Sequence, residues 1–115
     1  MHELSIALSL LDAAAEEADR HAGKRVAALH LRLGPLSGVV GDALRSAYEV
    51  AREGSPFETA ELLIVEAPIV IYCAKCAADR PAQSIQELVC SICGTPAERV
   101  VSGRELELVA LELES

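Results

Sequence analysis

Apolar residues recur at helical spacing along the first twenty residues of the chain. One face carries Leu4, Ala7, Leu8, Leu11, Ala14, Ala15 and Ala18, and the other carries Ser5, Ser9, Asp12, Glu16 and Asp19. This period predicts an amphipathic helix with its apolar face against a core. Gly23 follows His21 at a position suited to a left-handed cap, so we expect the helix to end near residue 21.

The pattern then switches between strand and helix periods. Residues 26–33 alternate, with leucines on one side and His30 on the polar side, which predicts a half-buried strand. A Gly-Pro-Leu-Ser-Gly segment ends this strand, and helical spacing resumes near Asp42. Residues 61–66 form a second predicted strand, and a short apolar run follows at 69–72.

The C-terminal segment has apolar residues of both parities. Leu106 and Leu108 share one parity, whereas Val109, Leu111 and Leu113 share the other. A strand with this pattern is either buried on both faces or interrupted by a β-bulge near Val109, and we favour the bulge.

All four cysteines lie in two Cys-x-x-Cys pairs, Cys73/Cys76 and Cys90/Cys93, with thirteen residues between the pairs. Two ligands at this spacing can bend around one ion, and a second pair completes a tetrahedron of thiolates. Because protein fills all four positions, a zinc ion held there is structural rather than catalytic.

Three other interpretations of these cysteines are two disulfides, a thioredoxin-like redox pair and an iron site with the same ligands. The first residues lack the basic segment and long apolar run of a secretion signal, so we expect a reducing cytoplasm and disfavour disulfides. A redox role needs only one pair. Four thiolates in a tetrahedron accept iron as well, so zinc is favoured while iron stays open.

The order of these segments predicts an α+β fold: two helices on a small three-stranded sheet, with an inserted two-knuckle zinc-binding module. Residues 1–66 supply both helices and two strands, and residues 67–99 form the module. Residues 100–115 return as the C-terminal strand of the first domain.

Charge and composition exclude several functions. The formal net charge is −8, which disfavours nucleic acid as a partner because phosphate binding needs a basic face. No apolar run is long enough to cross a membrane. No arrangement of serine, histidine and aspartate stands out, and the cysteines are committed to a metal, so we do not expect an enzyme.

The first three residues, Met1, His2 and Glu3, offer an α-amine, an imidazole and a carboxylate within one chelating reach. The amine, the His2 backbone nitrogen and the His2 imidazole can close two fused rings, an arrangement that nickel and copper favour. A histidine at position 2 is more often incidental, and Glu3 suits the helix dipole. The pattern by itself therefore does not establish a metal site.

The chain as a whole resembles the HypA/HybF family of nickel metallochaperones for hydrogenase maturation. The resemblance runs nearly end to end: MHELSIA, LRLGPLSGVV with ALRSAYE, EGSP with AELLIVEAP, CAKC, CSICG and VSGRELELVALELE. The opening MHE, the paired knuckles and SGREL are highly specific in combination.

This resemblance implies that Ni²⁺ binds at Met1, His2 and Glu3 and that the four cysteines hold zinc. Residues 1–66 are then the nickel-binding domain. It also implies a non-enzymatic, cytoplasmic protein, monomer or homodimer, that passes nickel with a HypB-type GTPase into the large subunit of a [NiFe] hydrogenase. Some family members also serve urease, and this point stays open.

Two positions depart from the family's usual pattern. Ala77 follows the first knuckle where glycine is common, and Gly41-Asp42 stands where Pro-Glu often opens the second helix. We expect Ala77 to tighten or distort its turn, because glycine is favoured where φ is positive. The alternative function is a zinc-stabilised protein–protein interaction adaptor without a nickel site.

Overall fold

The computed structural model describes residues 2–22 and 24–114, without the side chain of His2. The helices are α1 (His2–Asp19) and α2 (Gly41–Ala51), with a short 3-10 helix at Pro35–Ser37. The strands are β1 (Val26–Leu33), β2 (Glu61–Glu66), β3 (Val70–Cys73), β4 (Ala78–Pro81), β5 (Arg99–Ser102) and β6 (Leu106–Leu113). The chain forms two compact units: Met1–Arg32, Val39–Val65 and Glu107–Ser115 in the first, and Leu33–Gly38 and Glu66–Leu106 in the second.

The first unit is built on a sheet with strand order β2-β1-β6. Its core is mainly aliphatic: Ala7, Leu10, Leu11, Ala14, Ala18, Val26, Leu29, Leu31, Leu44, Tyr48, Phe57, Ala60 and Leu62. Burying these side chains stabilises the unit by about 25 cal/mol per Å² of apolar surface. The one tyrosine of this core keeps its hydroxyl satisfied, because Tyr48 donates to the carbonyl oxygen of Ala60 at 2.9 Å.

The predicted elements of this unit are confirmed. Strands β1 and β2 have the predicted bounds, and α2 begins one residue before Asp42. Helix α1 ends at Asp19 and tightens into a turn, in which the His21 N–H donates to the Ala18 carbonyl at 2.9 Å. Gly23, the predicted cap, lies outside the described residues.

The last strand is not buried on both faces. Leu108, Leu111 and Leu113 contact the core of the first unit, whereas Val109 is 53% exposed. The inward-facing positions therefore change parity between residues 108 and 111. A β-bulge at this point accounts for such a change.

The second unit contains its own sheet, with strand order β4-β3-β5 and antiparallel pairing on both sides of β3. The module was predicted to end at residue 99, but the second unit extends further along the chain. Because Arg99–Ser102 pairs with β3, the chain stays in the second unit through Leu106. The segment 33–38 also belongs to this unit, since the Ala67 N–H donates to the Leu33 carbonyl at 2.8 Å.

Two glycines allow the segment 33–38 to lie against the end of β5. The Leu36 N–H donates to the Gly103 carbonyl, and the Gly34 N–H donates to the Glu105 carbonyl, each at 2.7 Å. A Cβ atom at Gly34 would overlap the Gly103 carbonyl oxygen. Gly103 itself has a φ of 120°, which strongly favours glycine. The GPLSG and SGREL segments are thus two sides of one backbone contact.

Replacing Gly34 by alanine should destabilise the second unit strongly, because the new methyl group meets backbone that cannot move aside as a side chain can. We expect a loss of about 3 kcal/mol for Gly34→Ala, the upper end for overpacking, in urea unfolding of the metal-loaded protein. Gly38→Ala is the matched control. The new Cβ atom would have open space, and only the positive φ of 82° would oppose the substitution. Its expected loss is about 1 kcal/mol, and equal losses for the two variants would contradict the contact.

Candidate metal centre

The first Cys-x-x-Cys pair is the turn of the β3–β4 hairpin. Cys73 is the last residue of β3 and pairs with Ala78, the first residue of β4. Cys76 lies in the turn between them, and its backbone N–H donates to the Cys73 sulfur at 3.4 Å. The hairpin thus brings both sulfurs to one side of the turn.

The second pair forms a turn of the same kind. The Cys90 N–H donates to the Thr95 carbonyl at 2.8 Å, and the Gly94 N–H donates back to the Cys90 carbonyl at 2.9 Å. The Ile92 N–H points at the Cys90 sulfur, at 3.4 Å. An isolated bridge to Ala82 connects Cys90 to the chain that follows β4.

Each turn places the residue after its second cysteine in the left-handed region. Ala77 has a φ of 53° and Gly94 has a φ of 76°. This conformation lets the chain reverse while both sulfurs stay on the side of the cluster, and it costs a residue with a Cβ about 1–2 kcal/mol. The glycine-like position expected at Ala77 is therefore present and occupied by alanine.

The four sulfurs of Cys73, Cys76, Cys90 and Cys93 all lie within 4.8 Å of one another. Three of their separations are 3.5 Å (Cys73–Cys93), 3.7 Å (Cys76–Cys93) and 4.0 Å (Cys76–Cys90). A tetrahedron with Zn–S bonds of about 2.3 Å has S···S edges of about 3.8 Å. All four cysteines are free rather than disulfide-bonded. The sulfur cluster therefore fits a tetrathiolate zinc site.

The cysteines also make up much of the core of the second unit. Cys73, Cys90 and Ile71 are completely buried, with Cys76, Ala82, Ala97 and Val100 packed partly around them. A cluster this small buries little apolar surface, and domains of this size usually need a metal or disulfides for stability. Metal binding would supply that missing folding free energy.

Hydrogen bonds in the cluster favour thiolates at two of the sulfurs. The Cys93 sulfur lies 3.1 Å from the Thr95 hydroxyl, and hydrogen bonds from this hydroxyl and from the Thr95 backbone N–H lower the Cys93 pKa to about 6. The pKa of Cys90 is also lowered, first by the backbone N–H of Cys93 and then by that of Ile92, against desolvation.

A third sulfur shifts in the opposite direction. The pKa of Cys76 is raised to about 11, chiefly by its side-chain hydrogen bonds with Cys93 and Cys73. A divalent cation at the centre of the cluster would stabilise four thiolates at once. The donor set thus fits a soft-ligand metal such as zinc.

The second unit contains no histidine, so cysteine rather than histidine is the candidate metal ligand there. The three histidines of the sequence are His2, His21 and His30. His30 lies 3.2 Å from Glu112, as expected for a strand histidine in a hydrogen bond, and His21 lies 3.3 Å from Glu17. Among the side chains that the structure describes, the four cysteines are the sole group of three or more metal-binding side chains close together.

The predicted nickel ligands lie at the start of the chain. Met1 and the side chain of His2 are outside the described part of the structure, while Glu3 is half-buried in the first turn of α1. These three residues stay a prediction.

Thr95 is a contributor that the sequence analysis missed. Its hydroxyl forms a hydrogen bond with the Cys93 sulfur, and the available signal was a hydroxyl residue two positions after a knuckle cysteine.

None of the helices among the described residues is both long and apolar enough to span a bilayer.

Two helices on a three-stranded sheet, with a separate unit around four thiols, define a small α+β protein of the metal-binding class. The family model for hydrogenase/urease nickel incorporation, metallochaperone, hypA, matches residues 1–113. The chain belongs to the HypA family, as its sequence motifs predicted.

Individual relatives match along almost their whole length. The hydrogenase maturation factor HypA of Chloroflexus aurantiacus is 46% identical over 112 residues, covering 97% of this chain and 98% of that protein. The one from a Roseiflexus species is 46% identical over 114 residues, covering 99% and 93%. The solution structure of the Ni metallochaperone HypA from Helicobacter pylori has a TM-score of 0.70 at 26% identity, covering 98% and 97%. The predicted fold class is confirmed.

The two knuckle turns give a reciprocal test of backbone strain. Gly94→Ala should lower the free energy of unfolding of the metal-loaded protein by about 1 kcal/mol, since the new Cβ has free space and only the positive φ opposes it. Ala77→Gly should raise it by about 0.5 kcal/mol, after the entropy of the added glycine is subtracted. Denaturant unfolding followed by circular dichroism measures both, and a destabilising Ala77→Gly would contradict the strain.

Proposed function

We propose that this chain binds Ni²⁺ at Met1, His2 and Glu3, holds a structural Zn²⁺ at its four cysteines, and supplies the nickel for maturation of a [NiFe] hydrogenase. The observation that carries the proposal is membership of a family of nickel-incorporation metallochaperones over residues 1–113. The cysteine cluster supports the zinc part of the proposal. Four thiolates would fill every position of a tetrahedral ion and leave none open for a substrate.

The two metals serve different purposes in this proposal. A tetrathiolate with its four positions filled by protein holds its ion tightly and exchanges it slowly. A transported metal must instead be released, and an amine with an imidazole at the start of a chain can give up its ligands one by one. Both of these groups bind metal only when deprotonated, so nickel affinity falls as the pH falls.

The partners in this proposal are a HypB-type GTPase and the large subunit of a [NiFe] hydrogenase. The family description names urease beside hydrogenase, so a urease is the second candidate recipient. We infer that the chain itself is not an enzyme and works in the cytoplasm, where a reducing environment keeps its thiols free for the metal. The net charge of −8 suits basic partner surfaces better than nucleic acid.

Metal analysis of the purified protein should find one zinc per chain, bound by the four cysteines. Cys73→Ser should abolish zinc binding and remove the structure of the second unit, because this cysteine is completely buried in its small core. Ser91→Ala is the control, since Ser91 is exposed in the second knuckle without being a ligand. Iron instead of zinc would leave the protein red, and zinc retained by Cys73→Ser would contradict the ligand set.

His2→Ala should weaken Ni²⁺ binding by at least about 100-fold, because the chelate loses its imidazole, while the zinc content stays at one per chain. Isothermal titration of the zinc-loaded, untagged protein measures this. The matched control is His21→Ala, which removes an exposed histidine beside Glu17 at the other end of α1.

Residues fused before Met1 give the complementary test, because they remove the α-amine from the site. They should weaken nickel binding with His2 intact. Unchanged nickel affinity in both variants would favour the alternative function, a zinc-stabilised interaction adaptor.

A further inference from the structure

Strand β6 is apolar in sequence but exposed in the structure. Six of its eight residues are apolar, yet none of the eight is buried. The strand order β2-β1-β6 places it at an edge of its sheet, so β1 is its one paired neighbour among the described residues. An edge strand with exposed apolar residues can pair with a strand of another chain.

The open edge of β6 presents backbone groups that an added strand can bond. The residues that flank β6 both bond toward β1: the Glu105 carbonyl accepts from the Gly34 N–H at 2.7 Å, and the Glu114 N–H donates to the Arg25 carbonyl at 2.8 Å. Both backbone groups of a strand residue point to the same side, and this side alternates from residue to residue. Counting inward from the two ends, the residues whose backbone groups face the open edge include Leu108, Leu111 and Leu113.

A cleft of about 520 Å³ lies along this strand, between β6 and the second half of α1. Its apolar lining consists of Ala13 and most of β6. Leu108, Leu111 and Leu113 direct their side chains to the same face of the strand, since all three contact the core of the first unit. Because side chains alternate between the faces of a sheet, a strand added to β6 places every second side chain in this cleft.

The charged groups that line the cleft belong to α1 and the turn after it, and one carboxylate has no counter-charge. Glu17 is bonded to Arg20 at 2.7 Å and lies 3.3 Å from His21. Glu16 also lines the cleft, and it forms no ion pair among the described residues. The cleft therefore offers a carboxylate to a basic side chain.

Two further carboxylates lie on the other face of β6. Glu107 and Glu112 are next to the leucines that face the core, so their own side chains project away from it. Glu107 has no ion pair in the described part of the chain, and the side chain of Glu112 is 61% exposed beside His30. An added strand has residues directly opposite both glutamates, where opposite charges stabilise the pairing and like charges oppose it.

These charges disfavour a second copy of this chain as the added strand. Two copies of β6 in antiparallel pairing satisfy their open backbone groups when Leu108 of one lies opposite Leu111 of the other. This register puts Glu107 of each copy opposite Glu112 of the other. Like charges directly opposite each other are destabilising. The edge therefore favours a different chain, with basic residues at these positions.

We propose that the open edge of β6 is a docking site for an extended segment of a partner protein in which apolar residues alternate with lysine or arginine. The segment adds a strand beside β6, so that backbone hydrogen bonds supply affinity. Its apolar side chains enter the cleft along α1, and its basic side chains lie opposite Glu107 and Glu112, which selects the partner by charge. This docking goes beyond the proposed nickel transfer and depends on neither metal site.

The first test uses a short end-blocked peptide in which lysine alternates with valine. Its controls are a twin with glutamate in place of lysine, and a rearranged peptide of the same composition without the alternation. In calorimetric titration of the full, zinc-loaded chain, the alternating peptide should bind, the rearranged peptide should bind at least about 10-fold more weakly, and the glutamate twin should not bind. On binding, the amide protons of Leu111 and Leu113 should exchange more slowly by NMR, because the added strand bonds them.

Reversing the charge of β6 gives the second test. The double substitution Glu107→Lys with Glu112→Lys should weaken binding of the alternating peptide at least about 10-fold, because pairs of opposite charge become pairs of like charge. The matched control is Glu49→Lys with Glu53→Lys, which makes the same change in net charge at exposed residues in and just after α2. This control should bind the peptide as wild type does.

Equal affinity for the alternating and rearranged peptides would overturn the proposal, as would equal effects of the two double substitutions. Unchanged exchange of the Leu111 and Leu113 amides in wild type would also overturn it, and this measurement needs no variant to fold. Protection of these amides that grows with protein concentration, without any peptide, would identify a second copy as the occupant and overturn the proposal too. None of these measurements requires nickel, so failure of the proposed nickel site is distinguishable.

Discussion

Convergence of four sulfurs is the constraint on which the second unit depends. The sulfurs of Cys73, Cys76, Cys90 and Cys93 lie within 4.8 Å of one another, so their charges cannot coexist without a cation. The strands around them have four residues each, and the cluster of buried side chains at the cysteines consists of Ile71, Cys73 and Cys90. A metal ion bound by all four would convert this repulsion into a cross-link of the unit, since it would join one turn to the other.

The first unit is stabilised by different physics. Its core is mainly hydrocarbon, and its polar contacts serve to satisfy backbone carbonyls near the start of β2. Tyr48 and Arg52 both donate to the Ala60 carbonyl, at 2.9 and 2.7 Å, and Arg45 donates to the Leu62 carbonyl at 2.8 Å. No bound ion is needed to close such a core. Removal of metal should therefore be felt mainly in the unit that contains the cysteines.

Prediction from the sequence succeeded where a segment's pattern reflects its own burial. The period of α1, the alternation of β1 and the bounds of β2 all follow from one apolar face against a core. It failed for β4 and β5. The segment Ala78–Pro81 has a charged residue at two of its four positions, and it is a strand because a knuckle turn returns it to β3. The pairing of β5 with β3 likewise keeps the chain in the second unit beyond the predicted boundary at residue 100.

The sequence by itself determined the family, the two Cys-x-x-Cys pairs, the two helices and the main strands, because each of these depends on residue type and local spacing. Tertiary structure alone decided three other features. It placed Gly34 against Gly103, paired Ala78–Pro81 with β3, and set Thr95 beside Cys93. The first contact joins residues distant along the chain, and all three depend on how the backbone turns. No periodicity in a single segment can report where the chain returns in space.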